Sequence, residues 1–374
     1  ENQWNDSMRV FSIASDAILE SDQLPQLLPA NGFVWVALAR REFELMQSEV
    51  QRMLQSLCDA QLVDLHIADM LNNQLPSHYD YTSQYDMLVF RRLAAGSTES
   101  DLSRPGEILH RSHAKAGVNA LRRIDTSPVA FAVFDRLLLT VHPVDCAVRD
   151  SFASRMLAAF HANLLTSSAR VPHSPADLML RIVSQMVDGY LNLRRDITRQ
   201  LDQWQSQLLR PDGRFSDWSA LLDARLMLHH LDEICEDQRA AIQDWTDGLE
   251  SLKSESSHSD RALELLKVRS RDVLEHIERV VHHVRRLEQS AETAVQMHFS
   301  AQSNRTNAIM RTLTVLTAVF LPLNLITGFF GMNFEHFEFI HLEHGLEATL
   351  LMMAAVGVGL LIFFWRKRYL GSAH

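Results

Sequence analysis

Asn307, Thr314, Thr317, Leu321, Asn324, Gly328 and Gly331 recur at steps of three, four or seven. On an α-helix these residues share one stripe. Most of the stripe lies in Thr312–Phe334, a run of 23 residues without a charge. An asparagine in such a run is costly unless it faces a partner helix or water. The chemistry on offer is therefore non-covalent: hydrogen bonding between closely packed helices, or to water in a pore. One stripe encloses nothing, so a pore requires several copies around an axis. The run closes on Gly331-Met332-Asn333. Beyond it, Glu335, His336, Glu338, His341, Glu343 and His344 mix carboxylates with imidazoles over ten residues. That segment is either a plain solvated loop or an electrostatic funnel that concentrates cations at a pore mouth.

These groups need membrane-spanning elements to hold them. A second uncharged run of 18 residues, Ala348–Trp365, follows the loop. Crossing the hydrocarbon core takes about 20 residues, so the two runs predict a helical hairpin. Arg305 and Arg311 precede it, Arg366, Lys367 and Arg368 follow it, and the loop carries Glu335, Glu338, Glu343 and Glu347 with no Lys or Arg. The positive-inside rule then places both termini in the cytoplasm and the acidic loop outside. Hydropathy alone fits a simple anchor equally well; the polar stripe shifts the reading towards conduction. Pro322, mid-span, kinks the helix or frees a carbonyl.

No Gly or Pro lies between Gly248 and Pro322, so a long helix is expected to run from a Ser254–Asp260 turn into the membrane. Val273, Ile277, Val280, Val284, Leu287, Ala291 and Ala294 form a heptad seam on it. The seam fits packing on its own domain or a self-associating stalk, and its continuity with the polar stripe favours the stalk. Upstream, Pro175–Arg210 and Ser216–Asp247 read as amphipathic helices turned at Pro211-Asp212-Gly213. Residues 1–165 alternate helical runs (Glu42–Leu57, Asp59–Leu71) with strand-like ones at Arg9–Ile13, Phe33–Leu38, Met87–Leu93, Val129–Phe134 and Leu137–Val141. Asp101–Lys115 reads as a loop. The expected plan is a cytoplasmic α/β domain (1–165), a helical hairpin (166–253), a stalk helix (254–311), a first span (312–334), an outer loop (335–347), a second span (348–365) and a basic tail (366–374).

Composition sets the classes aside. The chain has 374 residues and a net charge of -10, which argues against nucleic acid and suits a cationic partner. Cys58, Cys146 and Cys235 are scattered and read as reduced cytosolic thiols. Glu1–Ser7 is polar and gives no signal peptide. No Walker loop, G-x-S-x-G or H-E-x-x-H is present, and nothing assembles a nucleophile and base, so no enzyme is expected. His229 and Glu233, with Cys235, Glu236 and Asp237 nearby, make a metal site conceivable, but a solvated acidic face fits better. His282-His283 reads as surface. The 18 histidines raise the standing of transition metals.

The run Asn307–Phe334, ending in Gly331-Met332-Asn333, resembles the pore helix of the CorA-type divalent-cation transporters. Arg366-Lys367-Arg368-Tyr369-Leu370 resembles that family's cytoplasmic tail. Leu65–Leu71 and Leu139–His142 are weaker echoes of its N-terminal domain. The resemblance implies an α+β membrane protein: an N-terminal α/β/α cytoplasmic domain, a long helical stalk, two C-terminal transmembrane helices per subunit and a homopentameric pore in the inner membrane. It implies a selectivity mouth of Gly331, Met332 and Asn333 that holds a hydrated cation at Asn333. Magnesium sheds water reluctantly, so amide and backbone oxygens hold its hydration shell instead of replacing it. The implied pore lining is Asn307, Met310, Leu313, Thr317, Leu321, Asn324 and Gly328, with Met310 and Leu313 an apolar constriction. Arg305, Arg311, Arg366, Lys367 and Arg368 are the implied basic inner mouth. No tightly bound cofactor is expected; the partners are copies of the chain, the bilayer and the transported Mg2+ or Zn2+. The family's usual Gly-Met-Asn-Phe-x-x-Met-Pro-Glu-Leu continuation is absent. The histidine-rich loop opens a zinc reading, as in the ZntB branch. A non-conducting, membrane-anchored metal sensor or scaffold is the rival from another class.

Overall fold

The computed structural model describes residues 8–14, 17–95, 124–143, 147–161, 171–208, 218–251, 260–332 and 344–367. It divides into two compact units, Glu1–Ala294 and Val295–His374.

The first unit is built on a mixed sheet. Its strands are β1 (Arg9–Ala14), β2 (Ile18–Ser21), β3 (Gly32–Ala39), β4 (His78–Tyr81), β5 (Asp86–Arg91), β8 (Pro128–Val133) and β9 (Leu137–His142), with a separate ribbon of β6 (Ala94–Ala95) and β7 (Ile124–Asp125). The order is β2-β1-β3-β9-β8-β5-β4. Among the described strand pairs only β3 and β9 run parallel, with Val36 opposite Leu139. β3 reads GFVWVALA, with hardly a polar residue, as a strand must when both its faces are covered. Val34, Val36 and Leu38 point to one face. There they meet Phe43 of α1 (Arg40–Leu45), Val50 and Leu54 of α2 (Gln47–Cys58), and Ile67 and Met70 of α3 (Asp64–Leu71). Trp35 points to the other face. It stacks on Phe11 at 4.8 Å, meets Phe152 of α4 (Ala147–His161) edge-on at 6.0 Å, and donates from Nε1 to Thr140 Oγ1 at 2.9 Å. On the same unit, α6 (Trp218–Ser251) reaches the sheet through Gln238 Nε2, which donates to the Arg91 carbonyl at 2.7 Å. The arrangement is α/β/α. Gly32 is fixed by the turn into β3: its φ is +138°, and a Cβ there would sit 2.1 Å from the Ile13 carbonyl oxygen.

The five expected strands are present as β1, β3, β5, β8 and β9 with shifted ends. The expected helix Glu42–Leu57 is two helices, broken at Met46 (φ −102°, ψ 15°). The expected helix Asp59–Leu71 starts late, at Asp64. Asp59 takes the left-handed conformation (φ 51°) that ends α2, which a short polar side chain tolerates, and its carboxylate accepts from Gln55 Nε2 at 2.8 Å. The Asp101–Lys115 loop and the Pro211-Asp212-Gly213 turn lie outside the described residues.

Three long helices complete the unit: α5 (Pro175–Leu208), α6, and the first part of α7 (Asp260–Phe330). The Trp245 indole N–H donates to Ser270 Oγ at 3.1 Å, Gln205 Nε2 donates to Ser290 Oγ at 2.6 Å, and Tyr190 shares a 2.8 Å hydrogen bond with His283 Nδ1. The heptad seam is where the structure corrects the sequence. Val273, Ile277, Val280, Val284, Leu287, Ala291 and Ala294 are all buried within one chain, beside α5 and α6. Their apolar surface is spent inside the unit and leaves no seam for self-association. His282 is exposed as expected, while His283 is half-buried, and burial, then Arg194 and Arg286, push its pKa down.

One pH effect follows. Burial, reinforced by Arg149, Arg92 and Arg40, holds His142 well below the usual imidazole range. On acidification the unfolded chain takes up this proton first, at about pH 6.5. The stability is therefore present above that pH and lost as pH falls below it, by up to about 1.4 kcal/mol per pH unit for one proton. His283 adds an effect of the same sign. Asp80, depressed chiefly by its hydrogen bond to His66, stabilises above the carboxylate range and loses its effect only at lower pH. The thermal midpoint of the full-length protein in detergent is expected to drop between pH 7 and 5.5, with a shallower slope in His142→Gln.

Candidate functional site

The second unit pairs the end of α7 with α8 (Gly345–Arg366). Both helices are long and apolar enough to cross a membrane, with mean hydropathies of 1.9 and 2.2 over their most apolar 18 residues. Helices suit that environment because their backbone groups are satisfied internally. The two pack antiparallel, with Leu323 Cδ1 3.8 Å from where a Cβ on Gly357 would lie. On α7 the covered positions are Val315, Ala318, Val319, Pro322, Leu323, Ile326 and Phe330. On α8 they are Thr349, Met353, Val356, Gly357, Leu360 and Phe364. Each set recurs every three or four residues, one helix face apiece. The helix continues through Pro322, so the Ala318 carbonyl has no i+4 donor.

The polar stripe lies on the other side of α7. At about 100° per residue, its centre falls close to opposite the face that α8 covers. Asn307, Met310, Leu313, Thr314, Thr317, Leu321, Asn324, Gly328 and Gly331 are all exposed in the single chain. Nothing lies within 4 Å of a Cβ placed on Gly328. The hydroxyls of Thr314 and Thr317 donate to the Met310 and Leu313 carbonyls at 2.8 and 2.9 Å. With their protons committed to their own helix, these hydroxyls offer lone pairs outward, as acceptors for water hydrogens or for a cation. The stripe thus alternates apolar side chains of Met310, Leu313 and Leu321 with acceptors from Thr314, Thr317 and Asn324.

The helix ends at the tripeptide. The Gly331 N–H donates to the Thr327 carbonyl at 2.9 Å, and the Met332 N–H reaches Phe329 O at 3.4 Å. A Cβ on Gly331 would lie 2.9 Å from that same Thr327 oxygen. Asn333, Glu335, His336, Glu338, His341 and Glu343 lie outside the described residues, as does Arg368. His344 is exposed at the start of α8, with Nδ1 3.4 Å from Glu347. Arg305, Arg311, Arg366 and Lys367 are exposed. By the same helical rotation, Arg305 and Arg311 stand off the stripe by about 110–130°.

Other candidates resolve differently. His229 sits 3.7 Å from Glu233 and 3.2 Å from Glu288, all partly or fully exposed, in a surface ion-pair array. Cys235 is not part of it: the side chain is buried, and burial first, then Asp232 and Glu236, raises its thiol pKa. Among the described residues no group of three or more His, Cys, Asp or Glu is placed to hold a metal ion. Sequence reading missed an acidic cleft lined by Asp80, Asp86, Asp135, Asp244 and Asp247 with Tyr79 and Tyr81. Its carboxylates come from separate segments, so no local spacing announces it.

Known proteins bear on this hairpin. The family model described as CorA-like Mg2+ transporter protein matches residues 106–368. The putative metal ion transporter YfjQ of Bacillus subtilis is 29% identical over 212 residues, 56% of this chain and 63% of that relative, so the alignment spans just under two thirds of its length. The complete structure of the CorA magnesium transporter from Methanocaldococcus jannaschii superposes with a TM-score of 0.66 at 13% identity, over 96% of this chain and 98% of that one. The ZntB cytoplasmic domain from Vibrio parahaemolyticus gives 0.50 at 12% identity, over 80% of this chain and 98% of that domain. These two likenesses are of fold. With the family model spanning most of its length, including both apolar helices, the chain belongs to the CorA-like Mg2+ transporter family.

Proposed function

We propose that this chain is a divalent-cation channel of the inner membrane, assembled as a homopentamer around the α7 stripe and driven by membrane potential. Magnesium is the first cargo, with cobalt or nickel tolerated. The observation that carries this reading is the division of faces on α7. The apolar face packs against α8, while the face bearing Asn307, Thr314, Thr317 and Asn324 is exposed among the described residues. Carboxamides left to lipid are costly; copies of α7 arranged around an axis give them water and one another. Family membership supports the same cargo class. In this assembly Met310, Leu313 and Leu321 ring the pore as apolar constrictions that gate by dewetting. Gly331, Met332 and Asn333 form the outer mouth, and the loop acids and imidazoles draw cations to it. Both termini are cytoplasmic. Zinc is the second reading, favoured by His336, His341 and His344 in the loop.

Cysteine accessibility tests the lining. In a background lacking Cys58, Cys146 and Cys235, a charged methanethiosulfonate reagent is expected to block flux through Thr317→Cys and Asn324→Cys. Ile362→Cys, on the α8 face away from α7, is expected to be unaffected. Equal sensitivity at all three, or protection of the stripe positions with flux intact, removes the proposed lining.

A further inference from the structure

We infer that Arg305, Arg311, Arg366 and Lys367 form a binding surface for the headgroup phosphates of anionic phospholipids, at the end of the hairpin away from its loop. The inference rests on reading this hairpin as membrane-inserted. The contact of Leu323 with Gly357 sets the antiparallel register, which brings Arg366 level with Thr314. Arg311 then lies about 5 Å further along the axis and Arg305 about 9 Å beyond it. Four cations from two helices thus gather where the apolar run ends. Exposed Trp365 stands next to Arg366, as indoles do at a membrane boundary.

Direction separates this surface from the pore. Arg305 and Arg311 flank the side of α7 that α8 covers, and Arg366 lies on the α8 face turned from α7, about 140° round from its contact face. None of the three falls on the polar stripe. No Asp or Glu occurs from Thr293 to Phe334 or after Glu347, so the sequence around this end of the hairpin carries a net positive charge. Guanidinium groups pair with phosphate in a planar, two-bond geometry. A zwitterionic headgroup already carries its own ammonium, so the surface discriminates in favour of net-negative lipids.

The test uses full-length protein, delipidated in detergent, then exposed to equal amounts of phosphatidylglycerol and phosphatidylcholine, with retained lipid counted by native mass spectrometry. Wild type is expected to retain phosphatidylglycerol preferentially. Retention is expected to fall roughly fivefold for each cation removed, in Arg366→Gln/Lys367→Gln and further in the quadruple glutamine variant. Arg271→Gln/Arg279→Gln, an equal charge change in the first unit, is expected to leave it unaltered. Equal retention of both lipids by wild type, or a preference untouched in the quadruple variant, overturns the proposal. Displacement by an equal concentration of inorganic phosphate also overturns it, assigning the surface to soluble phosphates. Release of the protein from vesicles by alkaline carbonate is a separate failure: it removes the membrane reading underneath.

Discussion

Gly331→Val is expected to cut cation uptake by roughly 5- to 150-fold while the first unit stays folded. The Gly331 N–H closes the last turn of α7 on Thr327 O, and a Cβ would stand 2.9 Å from that oxygen. The oxygen belongs to the backbone, so no side-chain rotation relieves the contact and the helix end must move. Strain of this kind costs about 1–3 kcal/mol, equivalent to a roughly 5- to 150-fold drop in the population of the original geometry. The displaced residues lead directly into Asn333, so a local backbone shift becomes a shift of the proposed mouth. Gly359→Ala is the matched control. Nothing lies within 4 Å of its Cβ position, and uptake is expected to persist. Uptake of a magnesium-sensitive dye signal in proteoliposomes, normalised to folded protein, measures both. Full uptake by Gly331→Val would show that the helix end does not set the mouth.

The second large effect lies in the first unit. Asp177→Ala is expected to destabilise it by about 3 kcal/mol. The Asp177 side chain is almost fully buried in the first turn of α5, where it meets Arg181 at 3.2 Å and Arg269 of α7 at 2.5 Å. One oxygen also accepts the His173 N–H at 3.0 Å. Removing this carboxylate takes away the charge between two arginines that repel each other. Both guanidinium groups keep some solvent contact, which sets the cost at the low end of the range for broken buried pairs. Asp196→Ala, which removes an exposed partner of Arg199, is expected to cost about 0–1 kcal/mol. Thermal unfolding followed by tryptophan fluorescence distinguishes the two, and equal effects would contradict the burial argument.

The parts of this molecule that were readable in advance are those written as local periodicity. The hairpin announced itself by two uncharged runs, and the stripe by steps of three and four from Asn307 to Gly331. β3, β8 and β9 were plain because strands covered on both faces become unbroken apolar runs. What stayed hidden depends on distant partners. The seam from Val273 to Ala294 is the same string of residues whether it meets a second copy or its own α5 and α6; only the tertiary fold chooses, and it chose the chain itself. The break at Met46 and the late start of α3 turn on single backbone angles that no hydrophobic pattern records. α4, β2 and β4 were missed because short or weakly periodic elements take their conformation from what they pack against. On α7 the sequence placed the polar groups on one stripe, but not what lies across from it. That α8 covers the opposite face is the structural addition, and it is the observation on which the proposed pore lining rests. The arginines show the converse: being near the start of the apolar run in sequence did not fix their direction, and Arg305 and Arg311 stand off the stripe.

The central claim is that cations pass along the α7 stripe and through the Gly331-Met332-Asn333 mouth. The measurement is influx of Mg2+ and of Zn2+ into proteoliposomes, each with its own internal indicator, under an inward-negative potential and without internal inhibiting metal, for wild type and Asn333→Ala. Wild type is expected to admit Mg2+ faster than Zn2+, and Asn333→Ala to lose influx of both. Faster Zn2+ influx, still lost in Asn333→Ala, would keep the pore and exchange the cargo. No influx of either ion through wild-type protein confirmed as a pentamer would contradict the channel itself and leave the membrane-anchored scaffold in its place.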